Sequence, residues 1–245
     1  MAMSKTAPPF ASVYFDCDST LTAIEGVDEL LADYAPAVRA EIAQLTDAAM
    51  NGRLPLADVY ELRLRTLAPR RAQLAAVGAL YARRAVPDAK LVVAALRRLG
   101  KRVGIVSGGL LEPVLAFAEY LGIDAAEVHA VPLQFAADGS YLDFDRNCPL
   151  WRNGGKVELL RGLPADHRPL AFVGDGVTDL ETQGTADLFV GFGGVVARSS
   201  VRDRAEVFVA EPHLAAVLPH LLTADEAAQL RATPEFAGLF ADSRP

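Results

Sequence analysis

Short apolar runs along the chain stop abruptly at polar or glycine-rich residues. Val13 to Phe15 runs into Asp16, Val103 to Val106 into Ser107-Gly108-Gly109, and Leu170 to Val173 into Gly174-Asp175-Gly176. Leu188 to Val190 ends in another glycine-rich turn, and Val207 to Val209 is a candidate fifth run. The pattern between them is helical. Pro87 suits a first helical residue, followed by a stripe of Val92, Ala95, Leu96 and Leu99 that Gly100 closes. Leu111, Val114, Leu115, Ala118 and Leu121 repeat the stripe up to Gly122. Continuous apolar strands alternating with helices predict an α/β fold built on a doubly wound, mostly parallel sheet covered on both faces.

Two segments break the alternation. From about residue 22 to residue 85 only helical stripes occur: Val27, Leu30, Leu31 and Tyr34, then Val38, Ile42, Leu45 and Ala49. A small helical cap inserted after the first strand is the expectation, with a core of residues 1–21 and 86–245 and a cap of residues 22–85. Val128 to Phe144 reads as a β-hairpin about Ala137-Asp138-Gly139. Beyond Leu222 the tail is Ala-rich and expected to be helical.

Half of the 245 residues are hydrophobic, enough for a sizeable core. A formal net charge of −7 argues against nucleic-acid or membrane-surface partners, which call for clustered Lys and Arg. Residues 1–12 hold no apolar run long enough for a signal peptide, and no stretch approaches the roughly 20 apolar residues that span a bilayer. A cytoplasmic protein, monomer or homodimer, is expected. Cys17 and Cys148 are too few for a disulfide framework and lack metal-site spacing. Cys17 reads as a small buried filler, and the four histidines form no recognisable spacing.

Three strand ends carry metal- or phosphate-competent groups: Asp16 with Asp18, Ser107, and Asp175 with Asp179. Open α/β sheets bind ligands outside the carboxyl ends of their strands, so these groups can meet in one crevice. Clustered carboxylates need compensation, and a hard divalent cation with oxygen ligands supplies it. Each piece alone has an ordinary reading: Asp-x-Asp and Gly-Asp-Gly as turns, Ser-Gly-Gly as a loop, Lys156 as a solvated helix start. Together, each at an element end, they describe a phosphoryl-transfer site.

Asp16 to Thr20 (DCDST), Val106 to Gly109 (VSGG), Gly154 to Lys156 (GGK) and Gly174 to Glu181 (GDGVTDLE) resemble the four motifs of haloacid dehalogenase-type phosphatases. Within that superfamily the resemblance is nearest to the phosphoserine phosphatases, and extends through Glu25 to Leu30, Met50 to Pro55 and Gly191 to Asp203. It implies Mg2+-dependent hydrolysis of O-phospho-L-serine, as a step of serine biosynthesis, with a phosphatase or phosphotransferase for another small phosphomonoester as the alternative. Asp16 would be the nucleophile, and Asp18 the acid and then the base. Ser107, the amide of Gly108 and Lys156 would hold phosphate. Asp16, the carbonyl of Asp18, and Asp175 would ligate magnesium, supported by Asp179, with Thr178 near the attacking water.

Arg63 falls inside an apolar stripe of Leu56, Val59, Tyr60 and Leu67. It is there either as a snorkelling side chain or as a charge that needs a partner. The resemblance implies that Arg63 and Glu25 clasp the carboxylate and ammonium of an amino acid beside an apolar wall at Met50. This chain departs from the family pattern at Leu110, where relatives often carry an aromatic, in lacking a second basic residue near Lys156, and in its tail. Gly191-Phe192-Gly193-Gly194 resembles part of a dinucleotide fingerprint, but Val196 stands at its third glycine and the motif comes late in the chain.

Overall fold

In the computed structural model, which describes residues 9–32 and 34–241, the first strand, β1 (Ser12–Phe15), is the centre of the sheet. Helices α1 (Gly26–Glu29), α2 (Pro36–Met50), α3 (Leu56–Leu67) and α4 (Arg71–Arg83) follow it. Then come α5 (Ala89–Arg98), β2 (Arg102–Leu110), α6 (Leu111–Leu121), β3 (Val128–Val131) and the pair β4 (Leu133–Phe135) and β5 (Tyr141–Phe144). The second half contains α7 (Gly155–Gly162), β6 (Leu170–Gly174), α8 (Val177–Leu180), β7 (Leu188–Phe192), α9 (Ser199–Arg202) and β8 (Val207–Val209). After β8 the described residues form α10 (Leu218–Leu221), α11 (Ala224–Arg231) and α12 (Pro234–Ala237). Most of the sequence reading of residues 1–12 lies outside the described residues.

The six-stranded sheet has the order β3-β2-β1-β6-β7-β8, and every neighbouring pair is parallel. Ser12 is in register with Arg102 on one side and Leu170 on the other. Val13, Tyr14 and Phe15 are fully buried, as an apolar run flanked by strands and covered on both faces must be. Chain direction across the sheet reverses at β1, which has β2 on one side and β6 on the other. The switch point therefore lies beyond Phe15 and Gly174, where Asp16 and Asp175 leave the sheet.

The structure differs from the sequence reading in three places. The helix placed at Pro87 begins at Ala89, because Asp88 adopts a left-handed conformation (φ 69°) that a continuous helix excludes. Val128–Val131 is not an arm of the hairpin. It is the edge strand of the main sheet, and Pro132, which has no N–H for a ladder, separates it from the β4–β5 pair. The second strand runs on past Val106 to Leu110, with a register shift against β3 in that stretch.

The tail is helical as expected and packs on the core: Leu230, Phe236 and Leu239 are buried, and Glu226 pairs with buried Lys101 at 2.5 Å. Among the described residues no helix is long and apolar enough to cross a membrane.

Candidate active site

Asp16 is the first residue past β1. Its amide donates to the carbonyl of Val173 (2.9 Å), and its Oδ1 accepts from the Cys17 amide (2.8 Å), which fixes the carboxylate at the carboxyl end of the central strand. Ser19 then takes a left-handed φ of 53°, turning the loop so that its Oγ donates to Glu25 Oε1 at 2.7 Å. Non-glycine residues in that region are uncommon and cluster at functional loops. Thr20 Oγ1 donates to Asp175 Oδ1 at 3.1 Å, tying this loop to the end of β6.

Asp16 and Asp18 line one pocket. Asp18 Oδ1 accepts from the Gly26 amide at 2.7 Å and from the Tyr81 hydroxyl at 2.5 Å. Burial and the nearby Glu25 carboxylate push the Asp18 carboxyl up to about 8, although these two donors pull the other way.

Lys156, in the first turn of α7, is buried and bridges Asp16 Oδ1 (2.8 Å) and Asp179 Oδ1 (2.5 Å). Burial disfavours its charge, but the two carboxylates outweigh that and raise it above an ordinary lysine. Asp179 also accepts from the Gly176 amide (2.8 Å). Burial and the Asp16 charge raise its carboxyl to about 7. Buried Asp175 is pushed well up by burial, against the pull of Arg198.

Asp16, Asp175 and Asp179 each offer a carboxylate oxygen within 4.8 Å of the others. All three donors are hard oxygens. The desolvation they suffer is what a divalent cation of the magnesium or calcium kind would relieve, so the donor set fits such an ion.

Ser107, Gly108, Thr178 and Met50 line the pocket with Asp16, Asp18, Lys156 and Asp175. Ser107 Oγ accepts from the Gly109 amide at 2.9 Å. Asp179 stands behind Lys156 rather than on the pocket wall.

Glu25 and Arg63 reach the pocket from the helical insertion. Arg63 is 4 % exposed, so it does not snorkel; one terminal nitrogen donates to Asp28 Oδ1 at 3.2 Å. Its Nε is buried with no hydrogen-bond partner among the described residues, and so is the hydroxyl of Tyr60, one turn earlier on α3 and also on the pocket wall. Orphaned buried donors are costly unless a ligand completes them. The start of α3 is fixed to the other side of the site, since the Leu56 amide donates to Asn153 Oδ1 at 2.8 Å.

The residues anticipated from sequence thus line one pocket, except Asp179, which stands behind Lys156. Three others were not anticipated. Arg198, just before α9, is buried and directs Nε to Asp175 Oδ2 (3.0 Å), one terminal nitrogen to Asp47 (3.5 Å) and the other to Glu25 (3.7 Å). Tyr60 and Tyr81 sit on apolar helical stripes, where a hydroxyl leaves no periodic signal. Arg198 follows an apolar Val195-Val196-Ala197 run, a weak hint of a buried charge.

The family model for haloacid dehalogenase-like hydrolases matches residues 13–182. The chain is 35% identical over 202 residues to the phosphoserine phosphatase of Mus musculus, covering 82% of this chain and 89% of that one. It is 36% identical over 202 residues to the phosphoserine phosphatase of Drosophila melanogaster, covering 81% and 74%. Among solved structures, a phosphoserine phosphohydrolase-like protein from Francisella tularensis superposes with a TM-score of 0.75 at 25% identity, covering 89% of this chain and 98% of the other.

Proposed function

This chain belongs to the haloacid dehalogenase-like hydrolase family, and from that premise we propose that it is a magnesium-dependent phosphoserine phosphatase acting through an aspartyl-phosphate on Asp16. The observation that carries the substrate reading is the pair of orphaned donors, Arg63 Nε and Tyr60 hydroxyl, in the pocket that holds Asp16. A carboxylate accepts from both, and an arginine fork favours it by geometry. Glu25 lies in the same pocket and suits an ammonium. A ligand with carboxylate, ammonium and phosphate is an O-phospho amino acid. The names of the mouse and fruit-fly relatives agree with it.

In this reading Ser107 Oγ, the Gly108 amide and Lys156 hold the phosphate oxygens, and Met50 forms an apolar wall. Asp16, Asp175 and the Asp18 carbonyl would hold the metal, with Asp179 supporting, and the ion would neutralise charge on the carboxylates and the phosphate. A carboxylate oxygen of Asp16 attacks phosphorus, the bond to the seryl oxygen breaks, and Asp18 gives that oxygen its proton. Water then attacks the aspartyl-phosphate and passes a proton to Asp18, inorganic phosphate leaves, and Asp16 is free again. Thr178, on the pocket wall, would stand near that water. The helical insertion of residues 22–85, which carries α1 to α4, would be the cap that shields the reaction.

The test is phosphate release from a panel of phosphomonoesters with magnesium and with chelator, beside Asp16→Asn. Preference for O-phospho-L-serine, lost with chelator and with the substitution, is the expected result. Magnesium-dependent release from a different ester, with phosphoserine untouched, keeps the chemistry and overturns the substrate.

A further inference from the structure

Asp18 receives two hydrogen bonds on one oxygen and none on the other among the described residues. The Gly26 amide and the Tyr81 hydroxyl both donate to Oδ1. Oδ2 faces the opposite way: a Cβ added to Gly109 would stand 2.8 Å from it and 3.1 Å from Ser107 Oγ. The free oxygen is therefore the one turned toward the phosphate side of the pocket.

The two donors are built around each other. A Cβ on Gly26 would lie 2.0 Å from the Tyr81 hydroxyl, so only glycine at this position lets the tyrosine reach Asp18. Tyr81 itself is 1 % exposed, and its ring packs on Phe117 of α6 with centroids 5.6 Å apart. Its helix, α4, is seated closely on α6, since a Cβ on Gly78 would fall 2.9 Å from that of Ala116. A hydroxyl on so constrained a ring is a fixed donor. A buried tyrosine needs some acceptor, but here the acceptor is the one carboxyl with a proton to move.

We propose that Tyr81 is a positioning residue for Asp18: with Gly26 it saturates Oδ1 and holds Oδ2 as the oxygen that exchanges the proton with the substrate. This rests on the reading of Asp18 as acid and base given above. In the first step the bond from phosphorus to the seryl oxygen breaks as Oδ2 delivers its proton to that oxygen. In the second, Oδ2 takes a proton from the attacking water. A carboxyl free to rotate would present either oxygen and fall short of the transition-state geometry.

The experiment compares kcat/KM of wild type, Tyr81→Phe and Gly26→Ala for O-phospho-L-serine and for acetyl phosphate. The second is smaller, and its leaving group departs as a stable anion without needing a proton. kcat/KM reads the reaction through departure of the leaving group, before the second step contributes. General-acid catalysis contributes about 10²- to 10⁴-fold, and disordering the acid is expected to remove roughly tenfold of it for phosphoserine in Tyr81→Phe. For acetyl phosphate kcat/KM should stay within about twofold, while its kcat and KM fall together if hydrolysis of the aspartyl-phosphate limits turnover. Gly26→Ala keeps the tyrosine but pushes its hydroxyl away, and should show the same selectivity; unfolding midpoints verify that both variants fold. Equal effects on the two substrates, or none on either, overturn the proposal. Asp18→Asn separates the two levels: if it leaves phosphoserine hydrolysis intact, the underlying reading of Asp18 fails whatever Tyr81 does.

Discussion

Arg198 and Asp175 form a buried ion pair, Nε to Oδ2 at 3.0 Å, between the loop before α9 and the end of β6. Asp175 is already crowded by Asp179, Glu25 and Asp16, and Arg198 is what offsets them. Removing one partner of a buried pair leaves an uncompensated charge and costs about 3–5 kcal/mol. Arg198→Ala should therefore lower stability by about 3 kcal/mol in chelator, measured by urea unfolding. Arg198→Lys should recover only part, since a lysine cannot address Asp175, Asp47 and Glu25 from one planar fork. An unchanged midpoint for the alanine variant would show that Asp175 is held by other means.

The parts of the site that sequence made legible are those where a regular pattern ends. Asp16 and Asp175 terminate apolar runs, and a parallel sheet leaves only strand ends available to a ligand, so their meeting follows from topology. Ser107 was legible for a different reason: its motif was readable although β2 does not stop there but continues to Leu110. Arg63 was legible as a charge inside the apolar stripe of α3, and its substrate role came from the family pattern; Glu25 and Met50 came from that pattern alone, because neither interrupts a stripe. Tyr60 and Tyr81 stayed hidden because a hydroxyl on an apolar stripe looks like any other core tyrosine. Arg198 stayed hidden because its carboxylate partners lie in three separate segments, brought together only by packing. Val128 to Val131 was misassigned because a short apolar run pairs equally well with a neighbour in sequence or with a distant edge, and only the sheet order decides.

Tyr60 and Arg63 can be tested as substrate donors. Tyr60→Phe keeps the ring packed edge-on against Phe144, 5.4 Å between centroids, and deletes only the orphaned hydroxyl. Loss of one hydrogen bond to a charged group is worth about 1.5–3 kcal/mol, so KM for phosphoserine should rise about tenfold or more. Arg63→Lys should raise it further, since the fork is lost. Steady-state kinetics on phosphoserine and on a phosphomonoester without a carboxylate distinguish the cases. The second ester should be indifferent to Tyr60→Phe, and equal losses on both would remove the carboxylate from the argument.

Lys156 competes with a cation for the same charges. Among the described residues it is the one cation in a salt bridge with Asp16 and Asp179, at 2.8 and 2.5 Å. Lys156→Met should cost at least about 10²-fold in activity, the scale of removing one donor from a developing charge. It should also leave three buried carboxylates facing one another, so magnesium should raise the variant's melting temperature by more than it raises that of wild type. Differential scanning fluorimetry across a magnesium titration measures this. A smaller rise in the variant would mean that Lys156 helps to build the metal site rather than standing in for the ion.

His129 on β3 predicts an acid-side loss of stability unrelated to catalysis. Burial holds its imidazole below the usual range and the neighbouring His167 adds to this, while Glu127 opposes both. With the folded value depressed, the unfolded chain binds the proton more readily, and stability rises with pH where the two states differ in protonation. The contribution is complete above the unfolded value of about 6.5 and is lost as pH falls below it, toward the lower folded value. His129→Gln removes the titration while keeping a polar side chain. Urea midpoints of wild type and variant should run parallel between about pH 7 and 8 and converge or cross as pH drops to about 5.5. Parallel curves across the whole range would show that His129 takes up its proton as freely in the folded protein as in the unfolded chain.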